Sequence, residues 1–406
     1  MSLMSKIKTY IKTTKDKTDS FKTFFSKNSN NQTDDNKVSN AFYEQACLEL
    51  QDYYRNLEIV KKEQEMLNGH KHRLTESTEK KLLELIEKDS SILTIQNGSI
   101  DFYPPESDRY KKFAFENVKD KKTIGMIAVE FGLYEVAKRA LQDPIASTQV
   151  NVLKKNIGHV AAENNVYNLV ELALNNPIAS TQLDYVGENL GMKCVHNRWP
   201  ELVMKALDNH VASTQVNRNG FNIGMLAAGA NFLDWVDVTN FEPCVLKALD
   251  NSDAAVQQDT KGFNMGMYSI VNRMEQAGLK ALDNKVASLQ QTRNGLNMGI
   301  LASMKNLENV AIKALDNKEM SKQVDVDGWN IGIHVAYECM DRAVEKALED
   351  FDTRNNVNYP YLDMYHTIFR SPNYQGTEIC AKAEELQKQD WEIVKQQLYG
   401  ENESSM

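Results

Sequence analysis

Seven copies of one three-residue step, an Asn or Thr followed by Ile, Leu or Met and then Gly, recur along this chain. They are Thr123-Ile124-Gly125, Asn156-Ile157-Gly158, Asn189-Leu190-Gly191, Asn222-Ile223-Gly224, Asn264-Met265-Gly266, Asn297-Met298-Gly299 and Asn330-Ile331-Gly332. Their glycines lie 33, 33, 33, 42, 33 and 33 residues apart. A second anchor, Ala-Leu followed by acidic or amide residues, keeps the same beat at Leu141, Leu174, Leu207, Leu249, Leu282, Leu315 and Leu348. Two anchors in phase at this period define a stacked array, whose units bury their apolar faces only against one another.

Composition narrows the class. At 406 residues the chain is too long for one core and ample for an array with flanking elements. Its net charge of -9 argues against a general nucleic-acid binder, because phosphate neutralisation needs a Lys/Arg excess. Cys47, Cys194, Cys244, Cys339 and Cys380 are odd in number and far apart, which is no disulfide framework and points to a reducing compartment. No apolar run is long enough to span a bilayer.

The flanks differ from the array. Residues 1–40, rich in Lys, Thr, Ser, Asn and Asp, are expected to be a flexible tail, with Ile7, Tyr10, Ile11, Phe21, Phe24 and Phe25 the alternative makings of a short amphipathic helix. Residues 41–120 are expected to form a helical N-terminal cap. One helix runs from Ala41 to about Leu67 and stops at Asn68-Gly69. A second runs from about Glu76 to Lys88, and a third from about Asp108 to Val118. Residues 121–350 are the array. In 351–406, Asn355 to Pro372 reads as irregular, and a final helix runs from about Thr377 to Leu398.

Inside a unit, Asn217-Arg218-Asn219-Gly220-Phe221-Asn222-Ile223-Gly224-Met225-Leu226-Ala227-Ala228 resembles the opening of an ankyrin repeat, a tight hairpin leading into the first of two helices. Asn219-Gly220 and Asn294-Gly295 stand at the family's turn, and Ala128, Ala161, Ala227 and Ala302 at its helix alanine. Val310, Ala314 and Leu315 follow the pattern of its second helix, and 33 is its period. The chain departs from the family at the helix start, where Ile, Leu or Met replaces proline and Gly replaces leucine, which predicts a looser start. The resemblance implies an all-α solenoid of about seven helix–loop–helix repeats, capped by helices at both ends, with a concave protein-binding surface.

The residues repeated in every unit are expected to serve the stack. Asn156, Asn189, Asn222, Asn264, Asn297 and Asn330 can tie one loop to the next, because an amide both donates and accepts. Asp208-Asn209, Asp250-Asn251, Asp283-Asn284 and Asp316-Asn317 would close the second helix and open a loop.

Function is expected where units differ. The fourth repeat carries nine extra residues within Gly229 to Pro243, among them Asp234 and Trp235, which offer either an acidic–aromatic contact point or a longer helix that buries the ring. Arg198 and Trp199 in the third repeat, Arg273 in the fifth and Tyr337 in the seventh follow the first helix and are the other partner-binding candidates. No phosphate loop, dinucleotide fingerprint, zinc-protease or nucleophile-elbow motif occurs, so no catalytic residue, cofactor or metal ligand is assigned. Asp325-Val326-Asp327-Gly328 looks like part of a calcium loop, but it lacks the remaining ligands and reads as a hairpin turn.

Two functional readings stand at this point. One is a non-catalytic protein-interaction module. The other is an enzyme with its site in 41–120 or 351–406, using the array for substrate targeting. The Lys/Asn-rich composition is similar to that of intracellular bacteria that inject ankyrin-type effectors, and Glu384, Glu385, Glu392, Glu401 and Glu403 resemble a glutamate-rich type IV translocation signal. That likeness implies a host protein as partner, with a cytoplasmic location or delivery into a host cell.

Overall fold

The polar anchor of each repeat caps a helix. In the computed structural model, Asn189, Asn264, Asn297 and Asn330 hold an extended backbone, and each accepts the amide three residues on through its side-chain oxygen. These cap bonds, with that of Asn222, measure between 2.8 and 3.0 Å. The structure describes residues 45–46, 48–49, 52, 68–94, 121–229, 241–355 and 363–403. Capping by Asn removes the expected looseness of the helix start, since the side chain satisfies a terminal N–H that proline at N1 leaves alone.

The glycine that follows is required by packing. A Cβ on Gly224 would lie 2.7 Å from the Cβ of Ala248 in the same repeat and would run into the Met265 thioether of the next. A Cβ on Gly299 would lie 2.9 Å from that of Ala314 and would strike Ile331. Glycine therefore lets the first apolar residue of the following repeat lie against the helix backbone.

Among the described residues, repeats two to seven each show three helices rather than the two expected. In the third repeat they are Leu190–His196, Pro200–Ala206 and His210–Thr214; in the sixth, Met298–Met304, Glu308–Leu315 and Lys318–Ser321. The Asp-Asn pairs do not open a loop. Asn209, Asn251, Asn284 and Asn317 each cap the third helix by accepting two backbone amides. The aspartate before each one faces the next repeat: Lys247 reaches Asp208 at 2.5 Å and the carbonyl of Met204 at 2.8 Å, and Lys280 and Lys313 repeat the arrangement.

The chain divides into two units, residues 1–160 and 161–406. In the second, first helices pack on first helices and second on second from repeat to repeat. An amide relay runs alongside. Asn222 donates to the carbonyl of Ala254 and to Gln257, and Gln257 donates in turn to the carbonyl of Thr214 in the preceding repeat. Asn189 with Gln215, Asn264 with Gln290 and Asn297 with Gln323 do the same. The expected ladder exists, with glutamine carrying the step between units. The described residues contain no strand; the loops are single turns, and from Val186 to Val326 consecutive ones are joined by one backbone bond, such as Arg293 N–H to the carbonyl of Lys261 at 3.1 Å. The fold is an all-α solenoid of ankyrin-like repeats.

The end of this unit corrects the sequence reading. Residues 363–370 are not irregular: Asp363, 33 residues after Asn330, caps a helix Met364–Arg370 that packs on the first helix of repeat seven. The long helix Glu378–Glu403 then packs on that repeat's second helix. The pair is an eighth, altered repeat, hidden because Tyr365 stands where the glycine would be.

The first unit holds repeat one, with first helix Ile124–Phe131 and second helix Tyr134–Gln142. Asn68-Gly69 does not end a helix; both lie within Asn68–Lys88. This helix packs on the second helix of repeat one, and the turn Ser90–Thr94 on the first. Gln149 donates to the carbonyl of Thr94, as Gln215 does to that of Thr181, so the cap imitates the end of a preceding repeat. The expected tail over residues 1–40 and the expected helix from Asp108 to Val118 lie outside the described residues, as does most of the Ala41–Leu67 helix.

Candidate partner-binding face

In every repeat but the fourth, whose segment after the first helix lies outside the described residues, the first helix has a turn at either end. The hairpin turn precedes its cap, and a one-residue reversal follows its last residue. Five of the hairpins place glycine in the left-handed region, at Gly187, Gly220, Gly262, Gly295 and Gly328. A buried side chain at the base of each hairpin fastens it. Asp259 accepts the amides of Lys261 and Phe263 at 2.8 Å, and Asp325 accepts those of Asp327 and Trp329 at 2.9 Å. The partial calcium motif is therefore a turn, as expected.

The second oxygen of these aspartates looks across to the helix. Tyr268 donates to Asp259 at 2.6 Å, His334 meets Asp325 at 2.9 Å, and Lys193 pairs with Asp184 at 2.9 Å. Burial, then the bond to Asp259, pushes the Tyr268 hydroxyl well above its ordinary range. Lys193 also holds Glu188 at 2.6 Å, and His196 holds it at 3.0 Å. Burial works to raise the Glu188 carboxyl, but the bonds from His196 and Lys193 win and bring it down to about 2.

Between hairpin and reversal lies a strip of partly exposed side chains, backed by the buried Tyr268 and His334. Phe221 and Phe263 stand 5.5 and 5.1 Å from the Tyr268 ring, both tilted. Trp329 stands 5.2 Å from His334 and 5.4 Å from Tyr337. In the third repeat the same positions are charged, with Glu188, Lys193 and His196.

The sequence candidates divide on this frame. Tyr337 ends the first helix of repeat seven, is 61% exposed and belongs to the strip. Arg198 and Arg273 occupy the left-handed reversal after the first helix, at φ 61° and 58°, and are exposed at one edge of the strip. Trp199 starts the second helix, is only half-exposed, and meets Tyr167 edge-on at 5.5 Å, so the stack uses its ring. Asp234 and Trp235 lie outside the described residues. Sequence reasoning missed Phe221, Phe263, Tyr268 and Trp329; their signal was position, each lying just before the cap or four residues after it.

No group of acids, histidines and cysteines that could hold a metal ion occurs among the described residues. No described helix is long and apolar enough to cross a membrane. Neither a family model nor a curated protein matches the chain. Among solved structures, it is similar to the ankyrin repeat domain of Bcl-3, described there as a unique member of the IkappaB protein family, at 15% identity and a TM-score of 0.43, over 56% of this chain and 99% of that one.

Proposed function

We propose that this chain is a non-catalytic protein-interaction module, and that hairpins and first helices of repeats three to seven form its contact surface. The observation that carries this reading is a contrast between positions. The cap is Asn in every one of these repeats, whereas the residue just before it, partly exposed each time, is Glu188, Phe221, Phe263, Leu296 and Trp329 in turn. Positions that hold the stack repeat; those facing outward beside them vary, as a recognition surface requires. A stack this closely bonded offers the surface without much ordering cost on binding.

The composition supports a narrower form of the proposal, a bacterial effector that binds a host protein after delivery into the host cell. A translocation reporter fused to the chain tests that form separately. The surface itself is tested by crosslinking and capture with the full chain. Phe263→Ser with Tyr337→Ser is expected to abolish capture of a specific partner and, because Phe263 also packs on the core, to lower the melting temperature; Tyr337→Ser alone, at an exposed residue, should weaken capture and leave the melting temperature within a few degrees. Val211→Ser, on the exposed third helix, is expected to change neither. Capture that survives the first pair and fails with Val211→Ser would move the surface elsewhere.

A further inference from the structure

The strip is bordered by positive charge on both sides. On the hairpin side, Arg218, Lys261 and Arg293 occupy successive turn tips, and all three are exposed. On the reversal side stand exposed Arg198 and Arg273, with half-buried Lys305. No ion pair among the described residues involves any of these six; the Lys–Asp pairs that bind the stack use other lysines. Arg218 lies over the Tyr185 ring, 5.8 Å from its centre, which leaves its charge at the surface.

The acids of the same face are mostly committed. Asp184, Asp259 and Asp325 are buried in their bonds to Lys193, Tyr268 and His334, and Glu188 is held by Lys193 and His196. Only Asp327 and Glu338, both in the seventh repeat, present free-standing carboxylates to solvent among the described residues of the face. Among its described residues, a chain of net charge -9 thus keeps a local surface of opposite sign, with aromatic rings along its middle.

The spacing suits an extended peptide. Consecutive hairpins are linked by backbone bonds, Thr260 to Asn219 at 3.2 Å and Arg293 to Lys261 at 3.1 Å, which puts the tip charges one repeat apart. Packed helices lie about 8–10 Å apart, and an extended chain advances about 3.3 Å per residue, so one repeat matches roughly three residues of peptide. We infer that repeats three to six bind an extended acidic peptide segment whose carboxylates recur about every third residue and whose apolar side chains lie on Phe221, Phe263 and Leu296. This rests on the proposed interaction surface and names the chemistry of its partner. Single-stranded nucleic acid fits less well: Phe221 and Phe263 are tilted against Tyr268 rather than splayed as stacking platforms.

Fluorescence anisotropy with the full chain tests the assignment. The probe is a labelled twelve-residue peptide with glutamate at every third position and leucine or phenylalanine between; the comparators are the same peptide with lysine for glutamate, and a single-stranded oligothymidylate. The acidic peptide should bind at least tenfold more tightly than either comparator and weaken as salt is raised. Arg218→Glu with Arg273→Glu should weaken it at least tenfold at unchanged melting temperature, and Arg218→Lys with Arg273→Lys should largely restore it. Equal binding of the lysine peptide, or no binding of any peptide by a chain that still captures a partner through Phe263 and Tyr337, overturns the acidic assignment and leaves the surface standing. Tighter binding of the oligonucleotide overturns it in favour of nucleic acid.

Discussion

At Gly224 and Gly299 one missing methyl group sets the distance between repeats. Leucine at either site forces side chains against Ala248 or Ala314 and the first apolar residue of the next repeat. Such overpacking costs about 1–3 kcal/mol, and more where the backbone must shift. Urea unfolding of Gly224→Leu and Gly299→Leu should show that loss, and unchanged midpoints would mean that the glycine is merely tolerated. A second residue-scale prediction runs in the stabilising direction. Gln149 Oε1 is buried with no hydrogen-bond partner among the described residues. In later repeats the matching glutamine oxygen accepts from the cap asparagine, as Gln215 does from Asn189 at 2.9 Å. Repeat one has Thr123 there, whose hydroxyl caps the helix but carries no amide to donate. Thr123→Asn should supply the missing bond and raise stability by about 1 kcal/mol, read as a higher urea midpoint.

Elements show what could and could not be read in advance. The first and second helices were legible because their apolar residues recur in phase with Gly and Ala-Leu. The third was not: Pro177–Thr181 and Lys318–Ser321 span only five and four residues, too short for a periodic pattern, so the asparagine that caps each one looked like a loop residue. The same limit applied to the site. Arg198 and Arg273 were found by their departure from the repeat, whereas Phe221 and Phe263 passed as ordinary apolar residues until the hairpin set them beside Tyr268. The cap asparagine joins elements, and its worth can be separated by substitution. Asn297 caps one helix through its oxygen and, through its amide, holds Met320 O at 3.1 Å and Gln323 at 3.0 Å. Asn297→Asp keeps the cap and removes the donor; Asn297→Ala removes both. The expected losses are about 1–3 kcal/mol for the first and roughly 1 kcal/mol more for the second, measured by urea unfolding. Equal stability of Asp and wild type would show that the amide relay contributes nothing.

On the scale of the whole molecule, a stack needs an end, and in the second unit the end is closed by charge. Arg354 makes two bonds to Asp390 on the last helix, at 2.7 and 2.6 Å, and a third to the carbonyl of Leu348 at 3.0 Å. Asn355 and Tyr365 also donate to Asp390, at 2.6 and 2.5 Å, and the carboxylate is 2% exposed. Every oxygen of this carboxylate is therefore bonded, the condition under which a buried ion pair is tolerated. Burial works to raise the Asp390 carboxyl, but the bonds from Arg354, Tyr365 and Asn355 prevail and hold it below its ordinary 3.8. A carboxyl lowered on folding contributes stability above its unfolded value and loses it as pH falls through the folded one. The closure should thus hold at neutral pH and fail in acid below 3.8. Asp390→Ala leaves Arg354 buried without its partner and should cost about 3–5 kcal/mol at pH 7. Because each repeat leans only on its neighbours, the damage should begin at this end. Hydrogen exchange should rise first in Met364–Arg370 and Glu378–Glu403, then in the helices of repeat seven, while repeats three and four stay protected. Arg354→Met with Asp390→Leu, which removes both charges, should recover much of the loss and remove Asp390's share of the acid sensitivity. Uniform exchange across repeats three to seven in Asp390→Ala would show instead that the unit opens as one body and that this end has no special role.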